Sequence, residues 1–171
     1  RVGGRTHGLQ LWVNLPASSK MTPPAYQDLR AEENAVENRE GATIRVIAGE
    51  LFGLTGPGRT HTPISYAHVS IDDGASVSTA LPHDHAVLAY AMTGAFRVGN
   101  TDVDEGVLAI IDGDELTITG TAAQTEVIIV TGRPIGEPVA RYGPFVMNTD
   151  QEIRQAFVDF DRGLFGTPLP D

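Results

Sequence analysis

The chain has 171 residues and a formal net charge of -10, with 41% apolar residues, 19 glycines, 11 prolines, 6% aromatics and no cysteine. A surface this acidic repels phosphate backbones, which argues against direct nucleic-acid binding, and the missing cysteines exclude disulfides and Cys-ligated zinc. No run of about 18 apolar residues is present to cross a membrane.

A sizeable core is available to a chain of this length, and many turn residues with few bulky side chains favour an all-β protein of short strands. The opening run Arg1-Val2-Gly3-Gly4-Arg5 has neither an initiator Met nor the pattern of a signal peptide, and it reads as the interior of something longer. The absence of cysteine fits a reducing compartment, so a cytoplasmic location is expected.

Leu9 to Asn14 alternates apolar and polar residues after Gly8 and predicts a half-buried strand. Pro16, Pro23 and Pro24 then punctuate a long connector, and residues 26–40, rich in Asp, Glu, Asn and Arg, predict a surface-running arm with one helical turn. From Thr43 strand-like runs follow at Ile44–Ala48, Ile64–Ile71, Ser76–Leu81, Val87–Met92, Val107–Ile111, Leu116–Thr119 and Glu126–Thr131. Turn signals separate them, among them Asp72-Asp73-Gly74, Thr93-Gly94, Gly99-Asn100 and Asp112-Gly113-Asp114. Short strands at such regular spacing predict a sandwich or barrel. Val107–Ile111 and Val127–Val130 are almost wholly apolar, as strands covered on both faces would be. Finally Thr149-Asp150-Gln151-Glu152 has capping-box spacing, and Ile153, Ala156, Phe157, Phe160 and Leu164 form one stripe of an amphipathic helix ending near Gly163.

Several segments together resemble the pirin family. They are Gly8 to Pro16, Pro23 to Asp28, Arg45 to Gly49, Thr60 to Ile64, Gly132-Arg133-Pro134, the run Arg141-Tyr142-Gly143-Pro144-Phe145-Val146-Met147-Asn148-Thr149, and Glu152 to Ala156. Their order matches over nearly the whole chain, and the Gly143–Thr149 run is the most specific of them. The resemblance implies a two-domain cupin protein whose N-terminal barrel carries iron through three His and one Glu. It also implies that the present chain begins after those ligands. Family members are described as quercetin 2,3-dioxygenases or as nuclear transcription co-regulators. The expected fold is an all-β cupin barrel (RmlC-like jelly roll) with an N-terminal extended arm and a C-terminal α-helix. Residues 1–42 are expected to belong with a missing N-terminal barrel, residues 43–147 to form the C-terminal barrel, and residues 148–171 to form the helix and tail.

His83-Asp84-His85 invites a metal reading, because two imidazoles and a carboxylate suit Fe, Mn, Ni or Zn. The cupin pattern runs Gly, His-x-His, Glu, Gly. Anchored on Gly74 and Gly94, its ligand slots fall on Ala80, Pro82 and Ala86, none of which can bind a metal. No His follows the Asp112-Gly113-Asp114 turn, and Glu126 is the nearest available ligand. His83, His85 and Glu126 therefore stand only as weak metal candidates, with loop histidines as the plainer reading. No catalytic residue and no cofactor is expected in this fragment; Fe or another divalent metal is implied only for the full-length family. His7 at a strand start, His61 in a turn held by a hydrogen bond, and His68 on a strand face with Ile64 and Tyr66 all suit structural roles. Gly53 to Gly58 is Gly-rich but lacks the Lys and helix of a phosphate loop, so it reads as a turn. Trp12 suits core or interface.

Three functions fit. The chain is a structural and regulatory half supporting a metal-bearing barrel, or half of an iron-dependent flavonol dioxygenase inactive by itself, or a metal-free small-molecule barrel entered near Ala80 to Ala86. The expected partners are the missing N-terminal cupin half or a second copy, with a further protein partner possible, and neither nucleic acid nor membrane.

Overall fold

The computed structural model describes residues 3, 4 and 6–165. The elements run β1 (Ala35–Arg39), β2 (Ala42–Ala48), β3 (Glu50–Leu51), β4 (Leu54–Thr55), β5 (Ile64–Ile71), β6 (Ser76–Ala80), β7 (Ala86–Thr93), β8 (Phe96–Val98), β9 (Thr101–Val103), β10 (Leu108–Ile111), β11 (Glu115–Gly120), β12 (Thr125–Gly132), β13 (Ala140–Tyr142), β14 (Phe145–Met147) and α1 (Asp150–Asp161). They fall into two compact units, Ala25–Pro134 and Arg1–Pro24 with Ile135–Asp171.

The first unit is the barrel. One sheet has the order β1-β2-β5-β12-β7-β10 and the other β6-β11-β8-β9, with antiparallel pairing throughout both. Period-2 alternation decides which side chains enter. In β2, Ala42, Ile44, Val46 and Ala48 are buried while Thr43, Arg45 and Ile47 are not. In β5, Ser65, Ala67, Val69 and Ile71 do the same. Phe96, Leu116 and Ile118 close the core from the second sheet, all with no exposed surface. Each such side chain stabilises the fold by about 1.5–3 kcal/mol through its burial.

Two glycines fix the corners. Gly49 has φ +67° and Gly94 φ +70°. A Cβ at Gly49 would run into the carbonyl oxygen of Ile64, and one at Gly94 into that of Gln124. Both need the left-handed backbone and the missing side chain at once.

The sheet begins at Ala35, ahead of the Thr43 boundary expected from sequence. The expected helical turn is the 3-10 turn Ala31–Glu33, and the polar segment after it pairs as β1 with β2. Pairing hides its backbone while its alternate side chains stay wet, so a polar composition concealed a strand. The strand expected at Leu9–Asn14 is not formed among the described residues: no ladder partner faces it, and Leu9, Leu11 and Val13 are exposed. His7 accordingly opens no strand. Val127–Val130 lies in a central strand with three consecutive buried residues, Val127, Ile128 and Ile129. Val107–Ile111 departs from the expectation of two covered faces. β10 is an edge strand, and Leu108 is 51% and Ile110 81% exposed.

In the second unit, hairpin β13–β14 packs on α1. The helix starts where the sequence places it, with Thr149 accepting the Glu152 amide and Glu152 reaching back to the Thr149 amide. Ile153 and Ala156 are buried, and Phe157 meets Phe145 edge-on at 4.9 Å. Phe160 and Leu164, further along the stripe, stay mostly exposed.

Candidate functional site

Two constellations of polar side chains stand out on the barrel. The first is the turn ahead of β7. Pro82 accepts a backbone hydrogen bond from His85, which closes the turn. The His85 side chain is 9% exposed and its Nδ1 lies 3.0 Å from Thr131 Oγ1. Arg133 Nε donates to Asp84 Oδ2 at 2.6 Å. Desolvation pushes the Asp84 carboxyl up, but the hydrogen bond and charge of Arg133 outweigh it and hold the group below its ordinary value. His83 points to solvent. The His-Asp-His triplet therefore divides its side chains among Thr131, Arg133 and water.

Glu126, the third weak candidate, is elsewhere. It lies on β12 five residues before Thr131, about 16 Å away at the rise of an extended strand. It belongs to the second constellation, on the outer face of the six-stranded sheet. His68 on β5 faces Arg45 on β2 and Ile128 on β12, so Glu126 is its diagonal neighbour. Arg45 Nη1 lies 3.1 Å from His68 Nδ1. A guanidinium has no acceptor, so Nδ1 accepts and the His68 Nε2–H is left to donate. It donates to Glu126 Oε2, which also accepts from Ser70 Oγ at 2.7 Å. Tyr66 is two residues from His68 on the same strand face, and burial raises its phenol pKa. Arg45 Nε is buried without a partner. This Arg–His–Glu–Ser row spans three strands. Sequence reading missed it because each member is one charged or polar position inside an apolar strand, and register alone brings them together. The usable signal was parity: Arg45, His68 and Glu126 each sit on the non-core phase of their strands.

The ligand slots of the cupin pattern hold Ala80, Pro82 and Ala86, which carry no donor side chain. No group of three or more His, Cys, Asp or Glu side chains suited to a metal occurs among the described residues. The interior is filled by Ile44, Val69, Val87, Phe96, Leu116, Ile129 and their neighbours. The donor set of this chain thus does not fit the iron implied for the family. At the β6 end of the barrel, near the expected entrance, an open depression of about 520 Å³ is lined by Glu50 to Gly53 and Ser78 to Pro82. His61 is exposed in its turn, where the hydrogen bond comes instead from Thr60 Oγ1 to the Thr62 carbonyl. The second unit has its own apolar groove of about 520 Å³, whose walls include Trp12, Val13, Val139, Pro144 and Met147. No helix among the described residues is long and apolar enough to cross a membrane.

Residues 66–166 match the family described as Pirin C-terminal cupin domain. The chain is 37% identical to pirin of Homo sapiens over 160 residues, 90% of this chain and 55% of that protein. It is 36% identical to a putative quercetin 2,3-dioxygenase of Pseudomonas aeruginosa, over 95% of this chain and 58% of that one. Among solved structures, a quercetin 2,3-dioxygenase of Acinetobacter baumannii superposes with TM-score 0.85 at 36% identity, over 92% of this chain and 56% of that one. The chain spans little more than half the length of each of these relatives. A cupin barrel of short antiparallel strands, a capped closing helix and these matches together place the chain in the pirin family, where it corresponds to the C-terminal cupin domain.

Proposed function

We propose that this chain is the half of a pirin-like protein that supports and regulates a metal-binding cupin half, and that it holds no catalytic metal itself. One observation carries the reading: apolar side chains fill the barrel interior, and the ligand slots hold Ala80, Pro82 and Ala86. A packed core leaves room for neither a metal nor a substrate. The partner in this reading is the N-terminal cupin half or, without it, a second copy. Either one would cover the exposed Leu9, Leu11, Trp12 and Val13, which cost free energy while wet. The test is elemental analysis of the purified chain beside a quercetin oxygenation assay. The expected result is no stoichiometric metal and no turnover. About one Fe, Ni or Zn per chain, lost on His83→Ala with His85→Ala, would overturn the reading, as would turnover that survives metal removal.

A second reading is favoured by the 36% identity to proteins named as quercetin 2,3-dioxygenases. In it the whole protein is an iron-dependent flavonol oxygenase. The barrel then contributes stability and a wall to the assembly rather than reacting groups. Joining the chain to a metal-binding half and assaying quercetin distinguishes the two: oxygenation by the joined protein supports the second reading, and its absence with iron bound supports the first.

A further inference from the structure

The edge of the six-stranded sheet at β10 is left open, and its surroundings are specific. Val107 accepts from the Ala91 amide, and the register then pairs Ala109 with Ala89 and Ile111 with Val87. In an antiparallel ladder the intervening residues turn their N–H and C=O groups the other way. The amides and carbonyls of Leu108 and Ile110 therefore face away from β7, and no backbone partner meets them among the described residues. Their side chains are the exposed apolar pair of this strand, beside Tyr90 and Leu88 of β7. Carboxylates bracket the strand, exposed Asp104 and Glu105 before it and exposed Asp112, Asp114 and Glu115 after it. Arg133, which follows the Gly132 paired with Ala86 of β7, is already bound to Asp84.

We propose that β10 is a docking edge for an extended segment of a partner protein, which adds as a further strand. That segment has alternating apolar residues flanked at both ends by Lys or Arg. Backbone pairing along an edge supplies the attachment and alternate side chains supply the selection. The charges decide the occupant. A second copy pairing antiparallel about Ala109 would set Asp104 opposite Asp114 of its mate, and one pairing about Ile110 would set Glu105 opposite Glu115, and like charges placed opposite one another are destabilising. A base-flanked strand meets opposite charge at both ends. This inference does not depend on whether the barrel supports an enzyme or a regulator.

The probe is a fluorescent peptide of alternating Val and Thr with two Lys at each end, followed by anisotropy against the full chain and by amide shifts of β10. The Lys-ended peptide is expected to bind and to perturb Leu108 and Ile110. Binding should weaken at least tenfold when the peptide ends are Glu or when Pro interrupts its centre. Ile110→Pro should weaken it similarly, since an edge amide turned outward can be lost without breaking the inner ladder. Should that variant misfold, Glu105→Lys with Asp112→Lys gives an independent reading, because it should shift preference to the Glu-ended peptide. The proposal is overturned if the Lys-ended peptide does not bind, if the Pro-interrupted peptide of equal charge binds as well, or if charge reversal leaves the preference unchanged. It is overturned as well if sedimentation shows the chain dimerising in a way that Ile110→Lys abolishes.

Discussion

The barrel and the terminal unit use apolar residues in opposite ways. In the barrel large side chains meet in a closed core: Phe96, Leu116, Ile118 and Ile129 have no exposed surface. In the unit formed by both chain ends, only Ile153 and Ala156 are buried hydrophobics among the described residues. Several of its other large residues remain wet, including Trp12 at 68%, Tyr142 at 69% and Phe160 at 62%. Yet the terminal unit is well specified locally, with a capped helix, a hairpin and stacked rings. Local order and a finished core are separate achievements. The first needs only short-range chemistry, while the second needs two layers of structure facing each other.

The sharpest way to break that contrast is to delete the same ring in both places. Phe96→Ala removes a fully buried ring and is expected to cost about 3–5 kcal/mol. Phe160→Ala removes a ring from a mostly exposed site and is expected to stay within about 0.5 kcal/mol. Urea midpoints at constant slope measure both. Equal losses would mean that the two regions share one core.

Between these extremes lies the polar row on the barrel's outer face. Glu126→Leu leaves His68 Nε2–H and Ser70 without their acceptor, and a loss of about 1–3 kcal/mol is expected, toward the lower end because the group is partly solvated. Replacing Arg45, His68 and Glu126 together by apolar residues should recover most of that loss, since no polar group is then left unpaired. A triple variant no more stable than Glu126→Leu would show that the row holds the sheet together rather than marking its surface.

The strands of the barrel were legible because period-2 alternation and turn glycines act locally. The capped helix was legible for the same reason, Thr149 and Glu152 being three residues apart. β1 was not, because Glu37, Asn38 and Arg39 are polar on both phases, no residue of the strand is fully buried, and only pairing with β2 reveals it. β10 misled for the opposite reason: an apolar run signals burial on two faces, but Ile110 is exposed on an edge. Of the candidate residues, His83, His85 and Glu126 were chosen by type, and the structure scatters them because sequence proximity of His83 and His85 does not aim their rings together. Arg45 and Glu126, the ends of the row through His68, stand 81 positions apart in sequence, and only the order β2-β5-β12 brings them together.

The smallest expected effect tests the terminal unit where it is best built. Thr149 Oγ1 accepts the Glu152 amide at 3.2 Å, and Glu152 Oε2 accepts from the amides of Asn148 and Thr149 at 3.0 and 2.8 Å. Thr149→Ala is expected to cost about 1 kcal/mol of helix stability. The carboxylate adds a pH dependence. The Thr149 hydroxyl chiefly, with the two amides and the Lys20 charge, holds the Glu152 pKa below its ordinary 4.5 against a smaller opposing effect of burial. A depressed folded pKa means that the stabilisation is complete above the ordinary value and is lost as the pH falls through the folded one. The helical circular dichroism of the wild-type chain should therefore weaken below pH 4.5 more than that of Glu152→Gln, which has no carboxylate to protonate there. At neutral pH the order should reverse, with Glu152→Gln the less helical, because an amide is a weaker acceptor than a carboxylate at a helix N-terminus. Identical curves for the two proteins would show that the negative charge of Glu152 adds nothing to the order of the terminal helix beyond what a neutral acceptor at the same place supplies.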